Sequence, residues 1–128
     1  MQATPSPKIQ RIGQPAGSPM LDQPRLDRRL QGAPQRQTWT EYEALHEGLS
    51  CGVWTCEPGS WRIVFAPRKH EYFYVIEGRL RLHDSSGAIT EVCAGQAAVI
   101  PAGFEGVFEV LEPVRKHFVV VEPPATGG

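Results

Sequence analysis

Long apolar runs are missing from this sequence. No stretch approaches the ~20 apolar residues that a membrane-spanning helix needs, so no membrane partner is expected. The first residues also lack an apolar leader core. Gln2, Thr4, Ser6 and early prolines interrupt it, so a secretory signal is not expected. Cysteine is scarce and odd in number: Cys51, Cys56 and Cys93. No Cys-x-x-Cys pair exists, which excludes zinc-ribbon and thioredoxin-type signatures. Free thiols in a reducing, cytoplasmic setting are the expectation. No Gly-x-Gly-x-x-Gly or phosphate loop is present, and no motif assembles a Ser-His-Asp or Cys-His arrangement. A basic excess is absent as well: the formal net charge is −1, which argues against a nucleic-acid partner.

What is present is a chain of 128 residues, 41% hydrophobic, with 13 Gly and 12 Pro. That length suits one domain, and proline is nearly twice its usual ~5%. Charge is split along the chain. Residues 1–37 hold six Lys/Arg against two Asp/Glu, a net of +4, and the remainder is acidic. Six prolines in the same stretch break any long helix or central strand. Residues 1–37 therefore read as a Pro-rich N-terminal arm, partly disordered at residues 1–15, with one short helical turn near Asp22–Leu30. It is either a solvated tail or an extended arm pinned on the domain or on a second subunit.

From Thr38 the texture changes to short runs rich in Val, Ile, Phe, Tyr and Trp, separated by turn residues. Glu57-Pro58-Gly59, Glu77-Gly78, Asp84–Gly87, Ala94-Gly95 and Pro101–Gly103 are the breaks. The strands predicted between them are 38–42, 50–56, 59–66, 70–76, 79–84, 88–93, 96–100, 106–111 and 114–121. Such spacing specifies an all-β sandwich or barrel over residues 38–122, followed by a flexible tail at 123–128.

Period-two alternation assigns the faces. Leu80 and Leu82 share one side of their strand, with Arg79, Arg81 and His83 on the other. Trp61, Ile63 and Phe65 share a face. Glu71, Phe73 and Val75 share another, and Tyr72, Tyr74 and Ile76 lie behind them. A strand apolar on both sides needs cover on both, from the arm or from a second copy, so a homodimer is expected.

Residues 71–106 resemble the cupin superfamily of small double-stranded β-helix (jelly-roll) barrels. In the first cupin motif a metal-binding Glu is followed by six residues and a Gly, as in Glu71-Tyr-Phe-Tyr-Val-Ile-Glu-Gly78. In the second, Gly, five residues, Pro, any residue and Gly precede a His, and Gly95-Gln-Ala-Ala-Val-Ile-Pro-Ala-Gly103 fits up to that point. A narrower likeness runs through Gly52–Gly59, Phe104–Gly106 and Leu111–Phe118, and covers about residues 36–121. These segments are similar to small single-domain cupins related to the ureidoglycine-aminohydrolase and ethanolamine-utilisation cupins, a largely bacterial, dimeric group. The resemblance implies an all-β jelly-roll barrel with an extended N-terminal arm.

The departures bear on chemistry. Metal-binding cupins place a His-x-His pair before the Glu. Here those positions hold Phe65 and Pro67, or Val64 and Ala66, and the second-motif His position is Gly106. Of the four usual ligands only Glu71 is present. Tight transition-metal sites use about three or more protein ligands, so neither a metal nor another cofactor is expected. His70 points away from Glu71 on a strand, and His46 and His83 fall in loop-like or exposed contexts.

Glu71 is thus the candidate catalytic residue, a carboxylate among apolar neighbours. Its burial suits it to general acid/base work or to gripping a cationic or hydroxylated ligand, and demands a nearby cation. Lys116 is the candidate partner, since it shares a face with Val114, Phe118 and Val120. Should the last strand shift by one residue, His117 takes that place. Trp61, Phe65, Glu71, Phe73, Phe108 and Lys116 form the expected ligand site. Trp54 and Trp61 serve either as an aromatic wall or as plain core. The expectation is a metal-independent cupin that binds a small polar metabolite, as a sensor or accessory protein of a catabolic pathway. One alternative is an isomerase or hydrolase that uses Glu71 on a sugar- or amide-like molecule. The other is a structural partner protein with a filled barrel.

Overall fold

The computed structural model describes residues 6–125. It contains nine strands: β1 (Met20–Asp22), β2 (Arg29–Gln31), β3 (Arg36–Ala44), β4 (Leu49–Cys56), β5 (Gly59–Val64), β6 (His70–Asp84), β7 (Ile89–Cys93), β8 (Ala97–Ile100) and β9 (Glu105–Val121). Two 3-10 turns, Leu26–Arg28 and Leu45–Glu47, are the only helical elements among the described residues. The all-β jelly-roll expectation holds.

Two long strands organise the barrel. β6 and β9 pair antiparallel along almost their whole length, from His70↔Val121 to Asp84↔Gly106. Their outer edges pair with different partners in each half. The first half of β6 takes β8, and the second half takes β7. The second half of β9 takes β4, and its first half takes β5. One face is therefore β8-β6-β9-β4-β3-β1 and the other is β7-β6-β9-β5-β2, with β6 and β9 common to both. Phe73, Val75, Leu80, Val92, Ile100, Phe108, Val110 and Val114 fill the space between them.

This corrects the predicted strand breaks. Glu77-Gly78 is not a corner between two strands, and residues 106–111 and 114–121 are not separate. Each pair is one continuous strand, bent by a register shift around Glu77–Arg79 opposite Pro113. Turn residues inside a bulge read locally like turn residues at a strand end. Only the pairing distinguishes them.

The N-terminal segment is pinned on the barrel. β1 pairs with the start of β3, and β2 with β5. Further upstream, Gly13 N donates to Glu41 Oε1 at 2.8 Å, and Trp39 Nε1 donates to the Gly17 carbonyl at 3.2 Å. This stretch crosses β3 near Trp39 and Glu41, and Val53, which pairs with Trp39 and His117 on the flanking strands, is completely buried. The expected disorder at residues 1–15 lies outside the described residues for 1–5, as does the expected flexible tail for 126–128.

Candidate functional site

Alternation on β6 and β9 delivers the site. Glu71, Phe73 and Val75 point inward, as do Phe108, Val110, Val114, Lys116 and Phe118. The last strand is in the Lys116-inward register. The side chain of Lys116 is 4% exposed and that of Glu71 is 13% exposed, and Lys116 Nζ donates to Glu71 Oε2 at 2.7 Å. The ammonium also sits 4.4 Å from the Trp54 ring centre, 4.5 Å from Phe73 and 5.0 Å from Phe108. Ring faces carry negative potential, so these contacts replace part of the hydration that burial removes.

Above the pair opens a cavity of about 310 Å³. Trp61 and Phe108 stack with centres 5.0 Å apart, and Trp54 meets Phe108 edge-on at 5.6 Å. These rings and Phe65 form the wall, and Ile100, Phe118 and Val120 complete it. Of the expected ligand site, Trp61, Phe65, Glu71, Phe108 and Lys116 are brought together. Phe73 is fully buried beneath the ammonium and does not line the cavity. His117 points outward, next to Gly13. His70 is exposed, and its Nδ1 accepts a hydrogen bond from Ala102 N.

Sequence reasoning missed the rim. Asp22, Arg36, Thr38 and Lys69 also line the cavity. Arg36 donates from Nε and Nη2 to the two carboxylate oxygens of Asp22 at 2.9 and 2.7 Å, and its guanidinium lies 5.3 Å from the Trp61 ring centre. Asp22 comes from the arm, and no local signal points it at a barrel. Arg36 and Thr38 share a face of β3, but the sequence pattern starts this strand only at Thr38. Lys69 Nζ rests 4.6 Å over the Phe65 ring.

A metal does not fit this donor set. Glu71 faces an ammonium instead of histidines, and among the described residues no group of three or more His, Cys, Asp or Glu converges. Gly106, at the second-motif His position, has no room for a side chain: a Cβ there would lie 2.0 Å from the His83 carbonyl oxygen. No cysteine lines this cavity either. Burial pushes the Cys56 thiol up to about 12, against weaker opposing pulls from Arg36 and Lys116. All three cysteines are free. A larger recess of about 500 Å³, between the Leu45–Ser50 region, residues 66–68 and the Glu122–Ala125 tail, is lined by neither Glu71 nor Lys116.

Comparison with known proteins supplies a family. The family model described as the EutQ-like cupin domain matches residues 43–118. A protein of unknown function from Pseudomonas syringae pv. tomato, of the DUF861 family, superposes with a TM-score of 0.70 at 25% identity. The alignment covers 79% of this chain and 44% of that one, so this chain spans less than half of that protein's length. The Clostridium difficile EutQ protein has a TM-score of 0.59 at 23% identity over 70% of this chain and 64% of its own. A putative ethanolamine utilization protein Q from Salmonella typhimurium gives 0.58 at 19%, over 73% and 72%. These last two support the fold alone. No curated protein matches. No helix among the described residues is long and apolar enough to cross a membrane.

Proposed function

The chain belongs to the EutQ-like cupin family, and on that footing we propose that its barrel is a metal-independent binding site for a small polar metabolite. The observation that carries this reading is the Glu71–Lys116 ion pair, buried at the floor of an open, aromatic-walled cavity. A pair so placed has few hydration partners, and a ligand hydroxyl, amine or carboxylate would restore them. The cavity also argues against a barrel filled by its own side chains. A sensor or accessory role in a catabolic pathway, in a reducing cytoplasm, suits a site without redox or metal chemistry of its own.

A second reading has a specific basis. Glu71 lines the cavity and Lys116 engages only its Oε2, with no hydrogen bond to Oε1 among the described residues. That oxygen is placed to exchange a proton with a bound sugar- or amide-like substrate, with Lys116 steadying developing negative charge. The two readings separate on one variant. A thermal-shift screen of sugars, amines, ureides and small acids should find a compound that raises the midpoint, because a ligand of the folded state stabilises it by mass action. Glu71→Gln should weaken that shift in a binding protein. In an enzyme it should abolish turnover of the compound. Absence of any shift across the panel would sink both.

The reading extends to a homodimer. Tyr72, Tyr74 and Val99 remain exposed on the outer face of β6 and β8, beside the sector that the arm covers. A two-fold-related copy would bury this apolar patch against itself. Light scattering should report a dimer, and Tyr72→Lys combined with Val99→Glu should convert it to a folded monomer. A wild-type monomer at high concentration would refute this assembly.

A further inference from the structure

The basic excess of the arm has a destination in the fold. A recess of about 330 Å³ lies between the Pro24–Arg28 turn and β5, and it shares Arg36, Trp61, Phe65 and Lys69 with the barrel cavity. Five cations line it, Arg25, Arg28, Arg36, Arg62 and Lys69, and no carboxylate does. Two of them are neutralised close by: Asp27 holds Arg25 at 2.9 Å, and Asp22 holds Arg36 at 2.7 Å. Among the described residues, Arg28, Arg62 and Lys69 form no ion pair. Two of them are nonetheless held in place. Arg62 Nη2 donates to the Asp27 carbonyl at 3.2 Å, and Lys69 is fixed over Phe65.

Three uncompensated cations around one recess repel one another, and an anion there would remove that repulsion. A monocarboxylate would leave two charges unmatched. A phosphate monoester brings a charge near −2 and three acceptor oxygens, which guanidinium forks engage in pairs. We propose that this recess is a phosphate site, in which Arg28, Arg62 and Lys69 bind the phosphate end of a small phosphorylated molecule. The body of that molecule would pass along the shared Trp61–Phe65 wall towards Glu71. This second clause rests on the cavity reading above, whereas the phosphate site itself does not.

The test is a titration of the full-length, 15N-labelled chain with inorganic phosphate at constant ionic strength, with acetate as control. Saturable amide shifts confined to residues 24–29 and 61–69 are expected. Removing two charge-assisted contacts in Arg28→Gln/Arg62→Gln should weaken binding roughly tenfold or more. Lys69→Gln, which removes a single cation, should weaken it less, and both variants should retain dispersed, native spectra. Phosphate binding that survives while no metabolite enters the cavity would overturn the cavity reading and leave this site standing. Non-saturating shifts, an equal response to acetate, or unchanged affinity in the variants would overturn the site. So would a short single-stranded RNA that binds far more tightly than phosphate through residues beyond the recess.

Discussion

Lys116→Met should destabilise the fold by about 3–5 kcal/mol, the usual consequence of leaving a buried charge without its partner. At roughly 4 °C per kcal/mol for a chain of this size, the midpoint should fall by about 12–20 °C. Methionine keeps most of the side-chain volume, and the ammonium's approaches to Trp54, Phe73 and Phe108 that are lost only solvated the charge that is also removed, so little of the loss comes from packing. It comes from Glu71, whose carboxylate is left among rings with no cation at 2.7 Å. The second half of the cycle isolates that cause. Adding Glu71→Gln to Lys116→Met removes the orphaned charge and should recover most of the lost stability. Urea denaturation of the four proteins measures the coupling. A single variant costing less than about 1 kcal/mol, as an exposed pair would, means that water reaches the pair freely. The same measurement bears on function, because the proposed ligand site depends on a desolvated pair.

Gly78→Ala should be among the most damaging single-methyl changes in the barrel. Gly78 has φ of +91°, and a Cβ there would lie 2.1 Å from the Pro113 carbonyl oxygen. Two costs are combined in that position, the left-handed backbone and a collision with the facing strand at the bend. Gly87 separates them. It also has φ of +91°, but a Cβ there would meet nothing within 4 Å. Gly87→Ala should therefore cost only the conformational penalty, about 1–2 kcal/mol. Gly78→Ala should exceed it by at least about 2 kcal/mol, since backbone on a paired strand cannot step aside as a flexible side chain can. Equal midpoints for the two variants would show that β6 and β9 separate at the bulge without strain. The result matters for the site, because the bend at Gly78 lets one β6 strand serve both faces of the barrel and still present Glu71 inward.

The resemblance that marked Glu71 and Gly78 as cupin positions and the absence of histidines at 64–67 and 106 were both present in the sequence. The structure adds a physical reason at one of them. Position 106 is occupied by the path of β6, so a histidine there would require the His83 backbone to move. The Lys116 ammonium, and no cluster of metal ligands, meets the remaining carboxylate.

Inward and outward faces were legible because strand alternation has a period of two and each strand is its own evidence. That is how Leu80 and Leu82, Trp61, Phe73 and Val75, and Lys116 were assigned to the interior, and all of them are buried. Glu71 needed a cation by the same local logic, since an apolar strand face cannot hold a bare carboxylate. The strand ends at Glu77-Gly78 and at 112–113 were not legible. A bulge and a turn use the same residues, and only long-range pairing of β6 with β9 decides between them. Nor could the sequence bring Asp22, Arg28 and Arg36 to the barrel. Their positions depend on β1 pairing with β3 and β2 with β5, contacts between segments that carry no mutual signal. Local sequence determined the all-β class and the inward residues, because both follow from alternation and turn chemistry, while the resemblance to cupins implied the jelly roll and the missing metal ligands. Tertiary structure alone decided the cavity, the continuous strands that bend around it and the basic recess at its rim, because those arise where distant segments meet.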